Sequence, residues 1–510
     1  MRLEFRGIIL LSNAEFSTKC YISKRLNYRL SGGISAVNVI LIVSDTFRYD
    51  HLGCYGNDRI KTPYLDAFAK KATVFERAYA ASFPTVPHRH DLYTGRYTFV
   101  YSDWAPLPKN EMVLAQMLRQ SGCVTQLIAD TPHMLKDGFN YDRGFDGWLW
   151  IRGQENDRYM TAPLRVKLPC DPSKLRYGER TVTQYLRNVS LRRHESDYFV
   201  AQTMTEAARW LEMNYDQHEK FFLHVDTFDP HEPWDPPRWY VDMYDPGYEG
   251  EEVTYPVYGP CDYLSEEELN HCRALYAGEV TLVDRWIGML LEKVEDLGLL
   301  ENTAIIFTSD HGFYHGEHGL IGKSIIKPMA AGSSPLYEEV AHVPLIIYHP
   351  EIKGGKRCEA LVQPPDITAT ILELLEAKNP APMHGRSLLP LLRGKEAEWR
   401  DFAVTSPSII HGPVSGQRIT VTTHEWAFIY AGQVEDALKD NPGRRANFER
   451  LEQIAGKIRN ELYNLRKDPN QERNVFEEER DVAEELHKKL LSFLRELGTE
   501  ERYLRYWTKI

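Results

Sequence analysis

The run VNVILIVSD, residues 37–45, is the tightest constraint in the chain. A strand turns alternate side chains to opposite faces, so the unbroken aliphatic stretch Val39 to Val43 needs apolar cover on both sides. That is the requirement of a strand inside a parallel sheet, where helical crossovers cover both faces. Comparable runs recur as VTQLIAD (124–130), KFFLHVDTFDPH (220–231), TAIIFTSDHG (303–312) and VPLIIYHP (343–350). Helical patterns separate them. TPYLDAFAKKATVFERAYA has Pro63 near its start, AQTMTEAARWLEMNY spans 201–215, and DITATILELLE spans 366–376. The long stretch 265–298 opens with Ser265 and Glu268 spaced for a capping box. The alternation predicts an α/β fold with a large, mostly parallel sheet flanked by helices. Ligands of such sheets gather beyond the carboxyl ends of the strands. Asp45, Asp130, His231, Asp310 and His311 all fall at or just past such ends. After GRSLLPLLRG (385–394) the texture changes: VTTHEWAFIYAG and ELYNLRKDP read as antiparallel strands, and an amphipathic helix closes the chain at 480–497. The expected organisation is an N-terminal extension over 1–36, a main domain over 37–399, and a smaller C-terminal α+β subdomain over 400–510.

Charge and cysteine usage narrow the function classes. The 510 residues carry a formal charge of −12. An acidic surface disfavours nonspecific nucleic-acid binding and gives no long-range attraction for anions, so an anionic substrate needs cations gathered locally. The cysteines, Cys20, Cys54, Cys123, Cys170, Cys261, Cys272 and Cys358, are scattered, odd in number and without a CxxC pair. That argues against a disulfide framework or zinc knuckle and for a reducing, cytoplasmic location. No apolar run approaches the ~18 residues of a membrane span, and the early GIILL is too short for a signal peptide, so no membrane association is expected.

Two segments carry the chemistry. In SFPTVPHRHDLYTGR (82–96), Thr85 lies two residues before Pro87 and ahead of His88, Arg89 and His90. Alone, such a threonine is a turn residue. In SDHGFYHGEHGLIGKS (309–324), adjacent Asp310 and His311 offer a carboxylate and an imidazole, a pairing suited to a borderline divalent cation such as Mn²⁺ or Zn²⁺. The glycines permit tight turns, and Lys323 returns a positive charge to the same place. His315 and His318 are left outside the ligand set.

These segments together resemble the sulfatase family of the alkaline phosphatase superfamily. SDHG…GEHGL…K, TVPHR…TGR and NVILIVSDTFRYDHLGCYG carry the likeness. KTPYLDAFA, DPHEPW, YEEVAHVPLIIYHP, GRSLLPLLRG and ELYNLRKDPNQERN follow in the family's order. The resemblance runs from residue 37 to about 476 and makes 37–399 a sulfatase-like catalytic domain. It implies that Asp45, Asp310, His311 and Thr85 hold a divalent metal cation, with Thr85 as the nucleophile. It further implies that Arg89 fixes the nucleophile and neutralises oxyanion charge, that Lys323 binds the non-bridging oxygens, and that His231 meets the leaving-group oxygen.

Four departures shift the expected reaction. Sulfatases carry Cys or Ser at position 85, converted to formylglycine, whereas this chain carries Thr85. A formylglycine hydrate expels sulfate by collapsing to an aldehyde; a threonine ester must be cleaved by attack at the heteroatom, which phosphorus accepts more readily. Nucleotide pyrophosphatase/phosphodiesterases of the same superfamily are similar in using threonine. Thr46 replaces the usual second ligand Asp, which favours Mn²⁺ or Zn²⁺, with Ca²⁺ still compatible. LIADTPHML stands where a Gly-Lys-Trp-His segment is usual, leaving Asp130 or a neighbour in place of a sulfate-binding lysine and His133 as the retained residue. His342 sits where many members have arginine. The expectation is a metal-dependent hydrolase of phosphodiesters or phosphonate monoesters, working through a covalent phospho-threonine. The alternatives are a sulfatase acting without formylglycine and an inactive anion-binding protein. Its partner would be a small anionic ester, with no nucleic acid or membrane, and a homo-oligomer is compatible.

Other polar residues have two readings. Asp226 and Asp229 suit either a second metal or a turn. Cys54 suits packing rather than reactivity, Asp50 and His51 a helix start, and Glu338 and Glu339 a helix face. Trp148, Trp150 and Trp234 suit core packing or a pocket wall, the walls being expected from 135–195 and 235–262.

Overall fold

In the computed structural model, which describes residues 38–395 and 398–510, Asn38–Ser44 forms a strand buried along its whole length. Its side chains alternate as the aliphatic run requires. Ile40 and Ile42 enter one apolar core, and Val39, Leu41 and Val43 enter another on the opposite face. The first core is closed by the helices Pro63–Lys71, Phe199–Asn214 and Glu266–Asp296, the second by Leu114–Gln120 and Pro364–Leu374. Each fully buried aliphatic side chain of this kind stabilises the fold by about 1.5–3 kcal/mol. The predicted N-terminal extension, 1–36, lies outside the described residues.

The main sheet has eight strands, in spatial order Lys356–Val362, Thr73–Ala78, Leu345–Tyr348, Thr303–Ser309, Asn38–Ser44, Phe221–Thr227, Val124–Ala129 and Gly147–Trp150. All neighbours run parallel except Leu345–Tyr348, which is antiparallel to both of its own. The sheet is therefore mostly parallel, the alkaline-phosphatase-like arrangement. One expected element changes identity. The helix read from TPYLDAFAKKATVFERAYA stops at Lys71, and Thr73–Ala78 is a strand. Its Thr73, Val74 and Phe75 satisfy either periodicity, and hydrogen bonding to two neighbouring strands decides for the extended form. The long helix follows its reading: Ser265 Oγ accepts from Glu268 N at 3.2 Å, and Glu268 returns the bond to Ser265 N at 2.9 Å.

Two smaller sheets complete the site. Leu320–Lys327, which carries Lys323, pairs antiparallel with Ala330–Ser333, Tyr258–Pro260 and Tyr314–His315. A C-terminal sheet is ordered Glu461–Asn464, Trp426–Tyr430, Ile419–Thr422, Ala403–Pro407 and Ser82–Phe83. Its last member comes from the main part of the chain, so the C-terminal sheet grips the segment that leads directly into Thr85. The helix Arg480–Glu496 packs on this sheet. Among the described residues no helix is long and apolar enough to cross a membrane.

Candidate active site

Three parallel strands bring the polar residues to one edge. Asp45 follows Asn38–Ser44, Asp310 and His311 follow the adjacent Thr303–Ser309, and the turn holding His231 follows Phe221–Thr227 on the other side. Thr85 and Arg89 arrive on the helix Thr85–Thr94, one turn apart and hence on one face. Asp91 fixes this helix to its surroundings by accepting from Ser82 N, Ser82 Oγ and Thr98 N, each at 2.7 Å. Lys323 enters from the hairpin sheet. Asp45, Thr85, Arg89, Asp91, His231, Asp310, His311 and Lys323 are all buried.

Ligand atoms of Asp45, Asp310 and His311 lie within 4.8 Å of one another. His311 donates from Nδ1 to Gly312 O at 3.0 Å, which leaves Nε2 with its lone pair facing the cluster. That nitrogen is 3.5 Å from Asp310, 4.0 Å from Asp45, 3.4 Å from the Thr85 hydroxyl and 3.2 Å from Lys323 Nζ. Thr46, in place of a second ligand carboxylate, ties the two aspartates together: its N–H donates to Asp310 at 2.9 Å and its hydroxyl to Asp45 at 2.8 Å. It does so at a positive φ of 62°, an expensive conformation for a β-branched residue, and Tyr276 donates to its carbonyl at 2.7 Å. Arg89 spans three carboxylates. Nη1 contacts Asp45 at 3.0 Å and also Asp310, while Nε and Nη2 make a two-pronged contact to Asp226 at 3.1 and 2.9 Å.

Burial dominates the electrostatics. It pushes Asp45 above the usual carboxylate range, with repulsion from Asp310 adding to the effect. Burial also acts on Asp310, but attraction to the cationic Arg89 and Lys323 overrides it and holds that carboxyl low. For Asp226 the Arg89 guanidinium outweighs burial and the value falls to about 2. Burial lowers His311 to about 3 and His88 to about 4, keeping both imidazoles neutral. Among the described residues neither ring nitrogen of His88 has a hydrogen-bond partner.

The donor set fits a divalent cation. Two carboxylates and a neutral imidazole converge in a dry site, and the hydroxyl of Thr85 stands beside them. The charges agree. Asp45, Asp226 and Asp310 face Arg89 and Lys323, a deficit of one positive charge that a divalent ion turns into an excess of one.

A second network borders this site. His231 has Nδ1 at 2.7 Å from Glu232 O and 3.3 Å from the Glu232 carboxylate, and stacks on Phe228 at 4.0 Å. His133 Nε2 lies 3.0 Å from Glu155. Arg176 joins the two acids, at 3.0 Å to Glu155 and 2.7 Å to Glu232, under the rings of Tyr255 and Tyr258. Burial, then Lys323, lowers His231.

The sequence reading missed Glu155, Arg176 and Glu232. Glu155 and Arg176 carry no motif, their only linear signal being charge inside the 135–195 stretch expected to form a wall, while Glu232 sits in DPHEPW next to His231 and was given no role. Other expectations are redirected. Asp130 does not face the anion site; it accepts from Thr203 Oγ1 at 2.6 Å, Thr227 Oγ1 at 3.0 Å and Phe228 N. Asp226 is committed to Arg89, and Asp229 accepts from Gln154 and from Val200 N, so neither stands in a second metal cluster. His342 lies between Tyr49 and Tyr79 and bonds Glu338 at 2.9 Å. His315 is packed against Trp234, Tyr276 and Phe313, and His318 stacks on Tyr337. Asp50 binds Arg48, Trp234 is core, Trp148 is half exposed, and burial pushes the Cys54 thiol up to about 12.

Comparison with known proteins agrees with this geometry. The sulfatase family model matches residues 37–377. An arylsulfatase of Clostridium perfringens is 28% identical over 415 residues, covering 72% of this chain and 80% of that protein. The multifunctional alkaline phosphatase superfamily protein PehA of Trinickia caryophylli is 26% identical over 426 residues, covering 71% and 78%. In fold, the chain is similar to the phosphonate monoester hydrolase of Agrobacterium radiobacter, with a TM-score of 0.68 at 22% identity over 92% of this chain and 97% of that one. With two acids, an imidazole and a hydroxyl at the carboxyl edge of the sheet, and a family match over most of its length, the chain belongs to the sulfatase family of ester-bond hydrolases, within the alkaline phosphatase superfamily.

Proposed function

We propose that the protein hydrolyses phosphodiesters or phosphonate monoesters through a covalent phospho-threonine on Thr85. The observation that carries this is the Thr85 hydroxyl, 3.4 Å from His311 Nε2 and beside Asp45 and Asp310. A threonine there has no route to formylglycine, so the esterified intermediate must be opened at the heteroatom, and phosphorus is the better electrophile for that.

A divalent cation held by Asp45, Asp310 and His311, with Mn²⁺ or Zn²⁺ favoured by the mixed oxygen and nitrogen donors, would acidify the Thr85 hydroxyl and attract the anion. Thr85 Oγ then bonds to phosphorus as the bond to the leaving oxygen breaks. Lys323 and Arg89 face the charge on the non-bridging oxygens. The departing alkoxide takes up the proton that Thr85 gives up, with the neutral His231 beside the leaving oxygen able to relay it. Glu155 and Glu232 share Arg176, and this network holds the His231 and His133 imidazoles in place beside the site. Water next attacks phosphorus, and as the bond from phosphorus to Thr85 Oγ breaks, Thr85 takes the proton that the water gives up. The single excess positive charge of the cation-loaded site matches a monoanionic diester or phosphonate monoester better than a dianionic phosphate monoester. Six described cysteines are unpaired, which supports a reducing, cytoplasmic setting.

The test is a panel of aryl phosphodiester, aryl phosphonate and aryl sulfate. Thr85→Ala should fold normally and lose turnover, and EDTA should silence the wild type until Mn²⁺ or Zn²⁺ is restored. Full activity in Thr85→Ala ends the reading. Preference for the aryl sulfate would favour the second reading, sulfate ester hydrolysis, which the arylsulfatase relative supports.

A further inference from the structure

We infer that Trp104 is the platform on which the alcohol portion of the substrate stacks, so that the enzyme selects esters whose leaving group carries a flat ring. This rests on the proposed reading in one respect: it takes His231 as the neighbour of the leaving oxygen.

Enclosure comes first. Thr85, Arg89, His231 and Lys323 are between 0% and 6% exposed, so the anionic head of a substrate is surrounded by protein. The alcohol portion must project from His231 towards solvent. A continuous series of ring contacts marks one such direction. His231 stacks on Phe228 at 4.0 Å, Phe228 meets His133 edge to face at 5.7 Å, and His133 meets Trp104 edge to face at 5.2 Å. Exposure rises along the same series. The His231 side chain is 3% exposed, that of His133 15%, and Trp104 as a residue 40%. Trp104 is thus the solvent-facing end of an aromatic wall that begins at the leaving-group histidine.

The loop that bears Trp104 is held in place. Trp104 N donates to Asp103 Oδ1 at 2.7 Å, and Asp103 is 3.4 Å from His411 Nε2 in the C-terminal subdomain. Ser102 O accepts from Ser408 Oγ at 2.6 Å, and Pro106 restricts the chain two residues on. An indole left in solvent on a tethered loop forgoes the burial that usually stabilises tryptophan, whereas a bound ring would cover it with little ordering cost. A planar aryl group or the C–H face of a sugar ring has the matching chemistry.

Calorimetric titration of the Mn²⁺-loaded protein tests this without requiring turnover. The probes are benzylphosphonate and ethylphosphonate, in which a CH2 group stands where the leaving oxygen of a phenyl or methyl ester would be, so that neither can be hydrolysed. The wild type should bind benzylphosphonate more tightly than ethylphosphonate. Trp104→Ala should weaken benzylphosphonate binding about five- to tenfold and change ethylphosphonate by less than about twofold, the size expected of one stacked ring pair. Trp104→Phe should keep most of the preference and Trp104→Leu should lose it, which separates stacking from apolar bulk or loop collapse. Equal effects on the benzyl and ethyl ligands, no effect on either, or no binding of benzylphosphonate to the wild type would each overturn the inference. The two readings fail separately. Turnover surviving in Thr85→Ala removes the phospho-threonine while the platform stands on its binding preference. Normal phosphodiester turnover with no ring selectivity removes the platform alone.

Discussion

Replacing Asp226 by asparagine tests how the buried guanidinium of Arg89 is held. Asp226 takes both prongs of Arg89, at 3.1 and 2.9 Å, and the Thr131 hydroxyl at 2.5 Å, with all three residues fully buried. Asparagine keeps the shape but removes the charge and turns one acceptor into a donor aimed at the guanidinium. The magnitude follows in two ways. Arg89 draws the Asp226 carboxyl from the usual 3.8 to about 2 in spite of burial, a difference worth about 2–3 kcal/mol. Because the folded value is the lower one, that stability is complete above about pH 4 and is lost as pH falls through about 2. Independently, removing one partner of a buried ion pair costs about 3–5 kcal/mol. Urea unfolding at neutral pH should therefore show Asp226→Asn destabilised by about 3 kcal/mol. A second readout is specific to this geometry. Without Asp226, Arg89 leans entirely on Asp45 and Asp310, the oxygens that a cation needs, so Mn²⁺ affinity should fall about tenfold, which corresponds to about 1.4 kcal/mol. A loss below about 1 kcal/mol with unchanged Mn²⁺ affinity would refute the reasoning, since Asp45 and Asp310 would then suffice for Arg89.

Other consequences are as direct. A Cβ at Gly312 would lie 2.0 Å from Glu339 O and 3.1 Å from Arg48 Cγ. Gly312→Ala must therefore displace the loop bearing His311, at a cost of about 1–3 kcal/mol, and elemental analysis should find less bound metal. Gly443→Ala, with nothing near its Cβ, should leave both unchanged. Asp284 accepts from Leu65 N at 2.7 Å and Tyr64 N at 3.1 Å, and burial raises its carboxyl to about 7. The native state then keeps a proton that the unfolded chain has already released, so stability falls as pH rises from about 4 to about 7. Asp284→Asn should flatten that fall by up to about 1.4 kcal/mol per pH unit in urea midpoints; an unchanged slope would show that burial does not govern this group.

The alternation of aliphatic runs with amphipathic stretches was enough to read a mostly parallel sheet, because a strand covered on both faces leaves a local signature in its own residues. Asp45, Asp310 and His311 were legible for a related reason: each directly follows such a run, and strand ends of a parallel sheet share one edge. Thr73–Ala78 was not legible as a strand, since its six residues suit both periodicities and only its partners across the sheet decide. Nor did the chain announce Glu155, Arg176 and Glu232, whose meeting depends on loops far apart in sequence. Asp130 and Asp226 show the same limit from the other side. Both end or nearly end a strand, yet hydrogen bonds to Thr203 and Thr227 turn one into scaffolding, while the charge of Arg89 makes the other its anchor. Local periodicity was enough for the core strands, the long helices and the edge where polar groups gather, but not for Thr73–Ala78. The tertiary structure alone decided which of those groups face a common ion and which satisfy the backbone, because that choice depends on neighbours hundreds of residues away and on the cost of burying an unpaired charge.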